Sequence, residues 1–237
     1  MTANENGAVP AEFARFFEDT FPRTLATALM LSGNRHDAED AVQEAYAEAL
    51  LRWDRIGTYD APTAWVHRLV RQRLWKASRR WRRLSSLESM ELAGWCAVGG
   101  NAEQTVEAHA ALAALAALPG RQRTVMVLHG VHGMSPQEIA DELGLSGNAV
   151  RQAIFKARRK LAATLGMPRA GHVPADGLAS APRPVSFDAG VPVVDDWPFA
   201  ALRTAERWLR ENIEANERGR DRVRRAVLAR ASRRRPR

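Results

Sequence analysis

Residues 134–150, MSPQEIADELGLSGNAV, decide how this chain is read. Ser135 is placed to cap a helix N-terminus, Pro136 suits the first helical position, and Glu138 sits where it closes a capping box. Ile139, Ala140 and Leu143 form the inner face of a short helix. Gly144 supplies the turn, where a residue without Cβ accepts a left-handed backbone. Ser146 then caps a longer helix with the inner stripe Val150, Ile154, Ala157, Leu161 and Leu165. Its other side carries Asn148, Gln152, Lys156 and Arg159. This pattern predicts a helix-turn-helix, whose second helix enters a major groove. An ordinary helical hairpin is the bland alternative. The acid-free run Arg151, Lys156, Arg158, Arg159, Lys160 favours DNA, since these cations neutralise phosphates while the first turn reaches base edges. Asn148 and Gln152 are the suitable base readers because an amide pairs bidentately with adenine; their alternative is simply to face water.

Upstream of this unit, helical periodicity runs from about Thr105 to Leu118 and stops at Pro119-Gly120. Residues 12–84 also read as helices. Phe13, Phe16, Phe17, Phe21 and Leu25 recur at helical spacing, as do Ala38, Ala41, Val42, Ala45, Ala49 and Trp53, with a break at Ser32-Gly33-Asn34. Gly57 to Pro62 reads as a loop, and the next helix, Trp65 to about Trp81, puts Val66, Val70, Ala77 and Trp81 on one side. Its remaining girth is basic: Arg68, Arg71, Arg73, Lys76, Arg79, Arg80, Arg82 and Arg83, without an acid from Trp65 to Arg83. A helix apolar on one stripe only is a domain surface.

The charge is segregated. The chain has 237 residues, 35 Lys and Arg against 27 Asp and Glu, and a net charge of +8. Between residues 37 and 48 stand Asp37, Glu39, Asp40, Glu44 and Glu48, with no Lys or Arg. Acidic and basic blocks kept apart point to several surfaces with different partners. The expected organisation is a helical domain over 12–84, a linker over 85–105 holding Trp95 and Cys96, a helix-turn-helix domain over 106–166, a flexible linker over 167–198 rich in Pro, Gly and Ala, and an amphipathic helix with a basic, mostly disordered tail over 199–237. The fold class is all-α: two small helical domains joined by a flexible linker, plus a partly disordered basic tail. The tail helix has the apolar stripe Phe199, Leu202, Ala205, Leu209 and Ile213. Either it docks on a domain and masks a binding surface, or it is a solvated extension.

Other classes find little support. The six histidines make no HExxH or other metal spacing, Cys96 has no sequence-local base, and no glycine-rich phosphate loop occurs. No catalytic residue, cofactor or metal is therefore assigned. A single cysteine, no secretory pattern and no apolar run near the ~18–20 residues of a membrane span lead to the expectation of a cytoplasmic protein without membrane insertion.

Three segments, in this order, resemble the extracytoplasmic-function (ECF) class of bacterial sigma factors. They are DAEDAVQEA at 37–45 within a run ending at Trp53, YDAPTAWVHRL at 59–69 leading into the basic helix, and LPGRQRTVMVL at 118–128 followed by the helix-turn-helix. The resemblance covers about residues 12–166. It implies that Asp37, Glu39, Asp40, Gln43 and Glu44 bind a clamp coiled coil of core RNA polymerase. It implies that Arg68, Arg71, Gln72, Arg73, Lys76, Arg79 and Arg80 meet DNA of the promoter −10 element, with loop 57–64 holding an unstacked base. It further implies that Asn148, Arg151, Gln152, Lys156, Arg158 and Arg159 serve the −35 element. Many relatives also have an anti-sigma factor as partner. Gln72, where the family usually has Asn, and Gly147 and Ala153 in the recognition helix depart from the pattern and bear on promoter preference. A helix-turn-helix regulator that never engages polymerase is the rival reading. It would leave the acidic 37–48 segment and the basic 65–83 helix without a task.

Overall fold

A computed structural model describes residues 9–81, 102–165 and 198–234, with side chains over 9–75, 103–165 and 198–234. Ten helices and no strand occur among the described residues. They are α1 (Ala11–Ser32), α2 (Arg35–Leu51), α3 (Trp53–Ile56), α4 (Pro62–Trp81), α5 (Ala102–Ala116), α6 (Gly120–Gly130), α7 (Pro136–Leu143), α8 (Gly147–Thr164), α9 (Phe199–Ala215) and α10 (Glu217–Arg234). The chain is all-α, as its periodicity predicts. The expected linkers, Trp95 and Cys96 among them, lie for the most part outside the described residues, although α5 already begins at Ala102.

The amino-terminal helices are joined by aromatic packing. Phe17 stacks on Phe21 at 4.9 Å and meets Tyr46 of α2 edge-on, also at 4.9 Å. Phe13 and Phe16 lie 5.2 and 4.9 Å from Trp53. Rings in such tilted and edge-on pairs contribute roughly 0.5–1.5 kcal/mol beyond the area they bury. The Tyr46 hydroxyl is fully buried but satisfied, donating to Thr24 Oγ1 at 3.1 Å and lying 2.8 Å from Thr20 Oγ1. Burial nonetheless pushes its phenol well above the usual tyrosine range. Asn34 caps α2 by accepting from the Asp37 amide at 3.0 Å. The α4 helix buries Val66, Val70 and Leu74 against α1 and α2 and leaves Arg68 exposed.

The helix-turn-helix forms as its local chemistry dictates. Ser135 and Glu138 make both halves of the capping box, and Gly144 closes α7 at φ 64°. Ser146 accepts from the Ala149 amide and starts α8. Ile139, Ala140, Val150, Ile154, Ala157 and Leu161 are buried together against Val125, Met126 and Leu128 of α6.

These modules share one continuous core, and the carboxy-terminal helices belong to it. The α9 helix lies across α1, α5 and α6, burying Leu202, Ala205, Trp208, Leu209 and Ile213. Phe199 fits only because Gly130 has no side chain: a Cβ there would come within 2.4 Å of the Phe199 ring. Trp208 Nε1 donates to Thr105 at 3.3 Å, and Arg203 donates to the Gly130 carbonyl at 3.1 Å. The tail then departs from the disordered end expected of its composition. Glu217–Arg234 form an eighteen-residue helix that packs along α2 and buries Val223, Val227 and Ala231. The reason is tertiary: the charges that keep such a segment solvated in isolation are matched here by acids on a neighbouring helix.

Candidate nucleic-acid interface and acidic docking face

The α8 surface presents the expected side chains outward. Asn148, Arg151, Gln152, Lys156, Arg159 and Lys160 are exposed, while the alternate stripe from Val150 to Leu161 is buried. Arg158 points elsewhere: its guanidinium lies 5.2 Å over the Phe199 ring of α9. Phe155, unnoticed in the sequence, is 59% exposed on the outer face, with Arg159 stacked over it at 5.8 Å. Its one legible signal is position, three residues beyond Gln152 and outside the apolar stripe. An exposed aromatic ring beside amide and guanidinium groups suits a groove that offers thymine methyl groups as well as hydrogen-bonding edges.

The α4 surface is basic but partly engaged within the chain. Arg68 and Gln72 are exposed. Arg71, with only 14% of its side chain accessible, reaches Glu142 of α7 through Nε at 3.1 Å and Nη2 at 2.9 Å. Arg73 pairs with Glu44 of α2 at 2.7 Å. The side chains of Lys76, Arg79 and Arg80 lie outside the described residues. Trp65 packs half-buried against the core.

Two imidazoles meet edge-on across the domains. His67 of α4 and His132, after α6, lie ring to ring at 5.7 Å. Thr24 and Thr27 of α1 meet their Nε2 atoms at 3.0 and 3.2 Å. Burial, then the neighbouring charges, lowers His67 to about 3 and His132 to about 4, so both are neutral at ordinary pH. A second tie is Arg123, in the LPGRQRTV segment. Its guanidinium donates to the carbonyls of Ser32 and Ala116 at 2.5 and 2.7 Å.

The acids of α2 form a ladder on its outer side, all partly buried. Glu39 is paired with Arg35 at 2.7 Å and with Arg222 at 3.0 Å. Asp40 is bonded to Arg230, which also lies 3.4 Å from Glu44. Arg234 is 3.8 Å from Glu44 and 3.1 Å from Glu48, and Glu48 also holds Arg52. Asp37 stands at the helix start, where burial raises its carboxyl above the usual range. Among the described residues no group of three or more His, Cys, Asp or Glu could hold a metal ion. No helix among them is long and apolar enough to cross a membrane.

Two sigma-70 family models match this chain. Sigma-70 region 2 matches residues 16–84 and sigma-70 region 4 matches residues 108–161, the helices that carry the acidic and basic faces. The ECF RNA polymerase sigma factor EcfG of Rhodopseudomonas palustris is 31% identical over 146 residues, covering 61% of this chain and 80% of that protein. The probable RNA polymerase sigma factor RfaY of Xanthomonas campestris pv. campestris is 34% identical over 144 residues, 56% of this chain. Those residues make up only 35% of RfaY's own length. Among solved structures, the sigma factor RpoE of Bartonella quintana, in complex with the anti-sigma factor NepR, has a similar fold. Its TM-score is 0.51 at 24% identity, over 66% of this chain and 98% of that one. The protein is a transcription initiation factor of the sigma type, one that binds core RNA polymerase and directs it to promoters. It belongs to the ECF family of RNA polymerase sigma factors.

Proposed function

We propose that three helical faces divide the work of initiation. The acidic side of α2, with Asp37, Glu39, Asp40, Gln43 and Glu44, holds the polymerase. The basic side of α4, with Arg68, Arg71, Gln72, Arg73, Lys76, Arg79 and Arg80, meets the −10 region. The outer side of α8 reads the −35 region through Asn148, Arg151, Gln152 and Phe155, while Lys156 and Arg159 neutralise phosphates. The observation that carries this reading is the two-faced build of α8: a polar, cationic and aromatic face stands in solvent on a helix whose opposite stripe is locked into the core. Unstacking one base costs a few kcal/mol, which phosphate contacts and stacking on a protein surface offset.

The protein acts by binding and not by catalysis, works in the cytoplasm where promoter and polymerase are found, and has an anti-sigma factor as a further partner. Support for the last comes from the Bartonella relative, solved with one. The test is transcription in vitro with purified core polymerase on a random promoter library. Recovery of a shared −35 and −10 pair supports the reading. Duplex DNA binding without any association with core polymerase would favour a regulator that does not engage polymerase.

A further inference from the structure

We propose that α10 is a built-in occupant of the polymerase-binding face, so that helix and polymerase compete for the same acids of α2. The proposal rests on the reading of α2 given above. The α10 segment has eight arginines against two acids, and α2 is the acidic helix of the chain. Their charges meet along a shared face, and from Arg230 onward the four-residue spacing of the arginines matches that of the acids. Arg222 holds Glu39, Arg230 spans Asp40 and Glu44, and Arg234 spans Glu44 and Glu48. The pairs ascend together along both helices, so α10 runs beside α2 in the same direction, about 18 Å of α10 covering about 13 Å of α2. Three of the five residues assigned to polymerase are therefore already taken, and a helix ~10 Å across stands over them.

The packing suits a cover that comes off. The α9 helix is held by large buried side chains, Leu202, Trp208, Leu209 and Ile213. By contrast, α10 buries only Gly219, Val223, Val227 and Ala231, and its ion-paired arginines remain a quarter to half exposed. Exposed ion pairs contribute little individually. Between the two helices stands Asn216, which ends α9 and caps α10 by accepting from the Gly219 amide at 2.8 Å. Thus α9 is the anchor, Asn216 the joint, and α10 the releasable cover. A second contact acts in the same sense, as Glu142 of α7 occupies Arg71 on the −10 face. If only a fraction of free chains have α10 lifted, apparent affinity for polymerase falls by that fraction.

The test titrates full-length protein against core RNA polymerase and compares it with the variant Arg222→Ala/Arg230→Ala/Arg234→Ala. Binding at least about tenfold tighter, with unchanged helicity by circular dichroism, is expected; equal affinity overturns the proposal. Should the triple variant lose helicity, Arg230→Gln alone decides, with an expected gain of about twofold to fivefold, and no gain again overturns it. Adding Asp40→Lys and Glu44→Lys to the uncovered variant separates this idea from the reading beneath it. Loss of binding there, with no gain from the arginine changes, removes the cover and keeps the α2 interface. Retained binding there removes the α2 interface, and the cover falls with it.

Discussion

The outer faces of α8 and α2 are both charged sides of amphipathic helices, yet the fold treats them oppositely. Along α8 Arg151, Lys156, Arg159 and Lys160 stand in solvent; along α2 each of Glu39, Asp40, Glu44 and Glu48 meets an arginine from another part of the chain or from α2's own flank. A charged helix face therefore says what kind of partner it fits, not whether that partner's place is open. Occupancy depends on what else the chain can lay there. In this protein the side of α8 proposed to read DNA stands in solvent, and the acidic side of α2 is overlaid by α10.

The contrast presumes that both faces ride on one body, and the largest expected effect tests that. Phe21 is fully buried among Phe17 and Tyr46, and Phe21→Ala should cost about 3–5 kcal/mol. Because the core is continuous, a single thermal transition should move as a whole; two transitions, only one of them shifted, would mean that the faces belong to independent units. Next comes pH. His67 and His132 are held neutral in the fold, with pKa values below their unfolded value, so between about pH 6.5 and 3 the unfolded chain binds more protons. Stability is present above the unfolded pKa and is lost as pH falls. Lowering pH from 7 to 5 should depress Tm by about 5 °C, and His67→Gln/His132→Gln should flatten that slope. An unchanged slope would take the pair out of the seam where α1, α4 and the segment after α6 meet.

On the open face, Gln152→Ala should weaken binding to the preferred promoter by about 1–3 kcal/mol while leaving nonspecific DNA binding unchanged. Lys156→Ala should act the other way round, weakening all sequences alike and reducing the salt slope by about one ion. If the two variants behave identically in filter binding across salt concentrations, α8 has no division between reading and phosphate contact. The smallest effect is at the entry to the helix-turn-helix. Ser135→Ala removes one side of the capping box and should lower stability by about 1 kcal/mol, measurable by urea unfolding, without altering promoter preference.

Legibility followed the range of the interactions. The helix-turn-helix was readable because Ser135, Glu138, Gly144 and Ser146 act on backbone a few residues away, and the structure repeats each role. The stripe on α9 was readable as amphipathic, but its seat was not, since nothing local says that Gly130 leaves room for Phe199. The helix α10 was missed. Its apolar residues Val223, Val227 and Ala231 do recur every four positions, and Arg230 and Arg234 share that spacing with Asp40, Glu44 and Glu48, a match that is visible only once two helices are laid side by side. Arg158 and Arg71 show the converse. As isolated cations they fit DNA, but Phe199 and Glu142, far away in the chain, draw them inward.

The chain by itself determined that the segments before Leu165 and the stripe from Phe199 to Ile213 are largely helical, where the helix-turn-helix is capped, and what sign of charge each outer face carries, because capping, periodicity and propensity act over one or two turns. Only the tertiary structure decided that α9 and α10 join the common core and that α10 lies on α2. Burial and ion pairing between residues nearly two hundred positions apart depend on how the helices are stacked, and no local pattern encodes that arrangement.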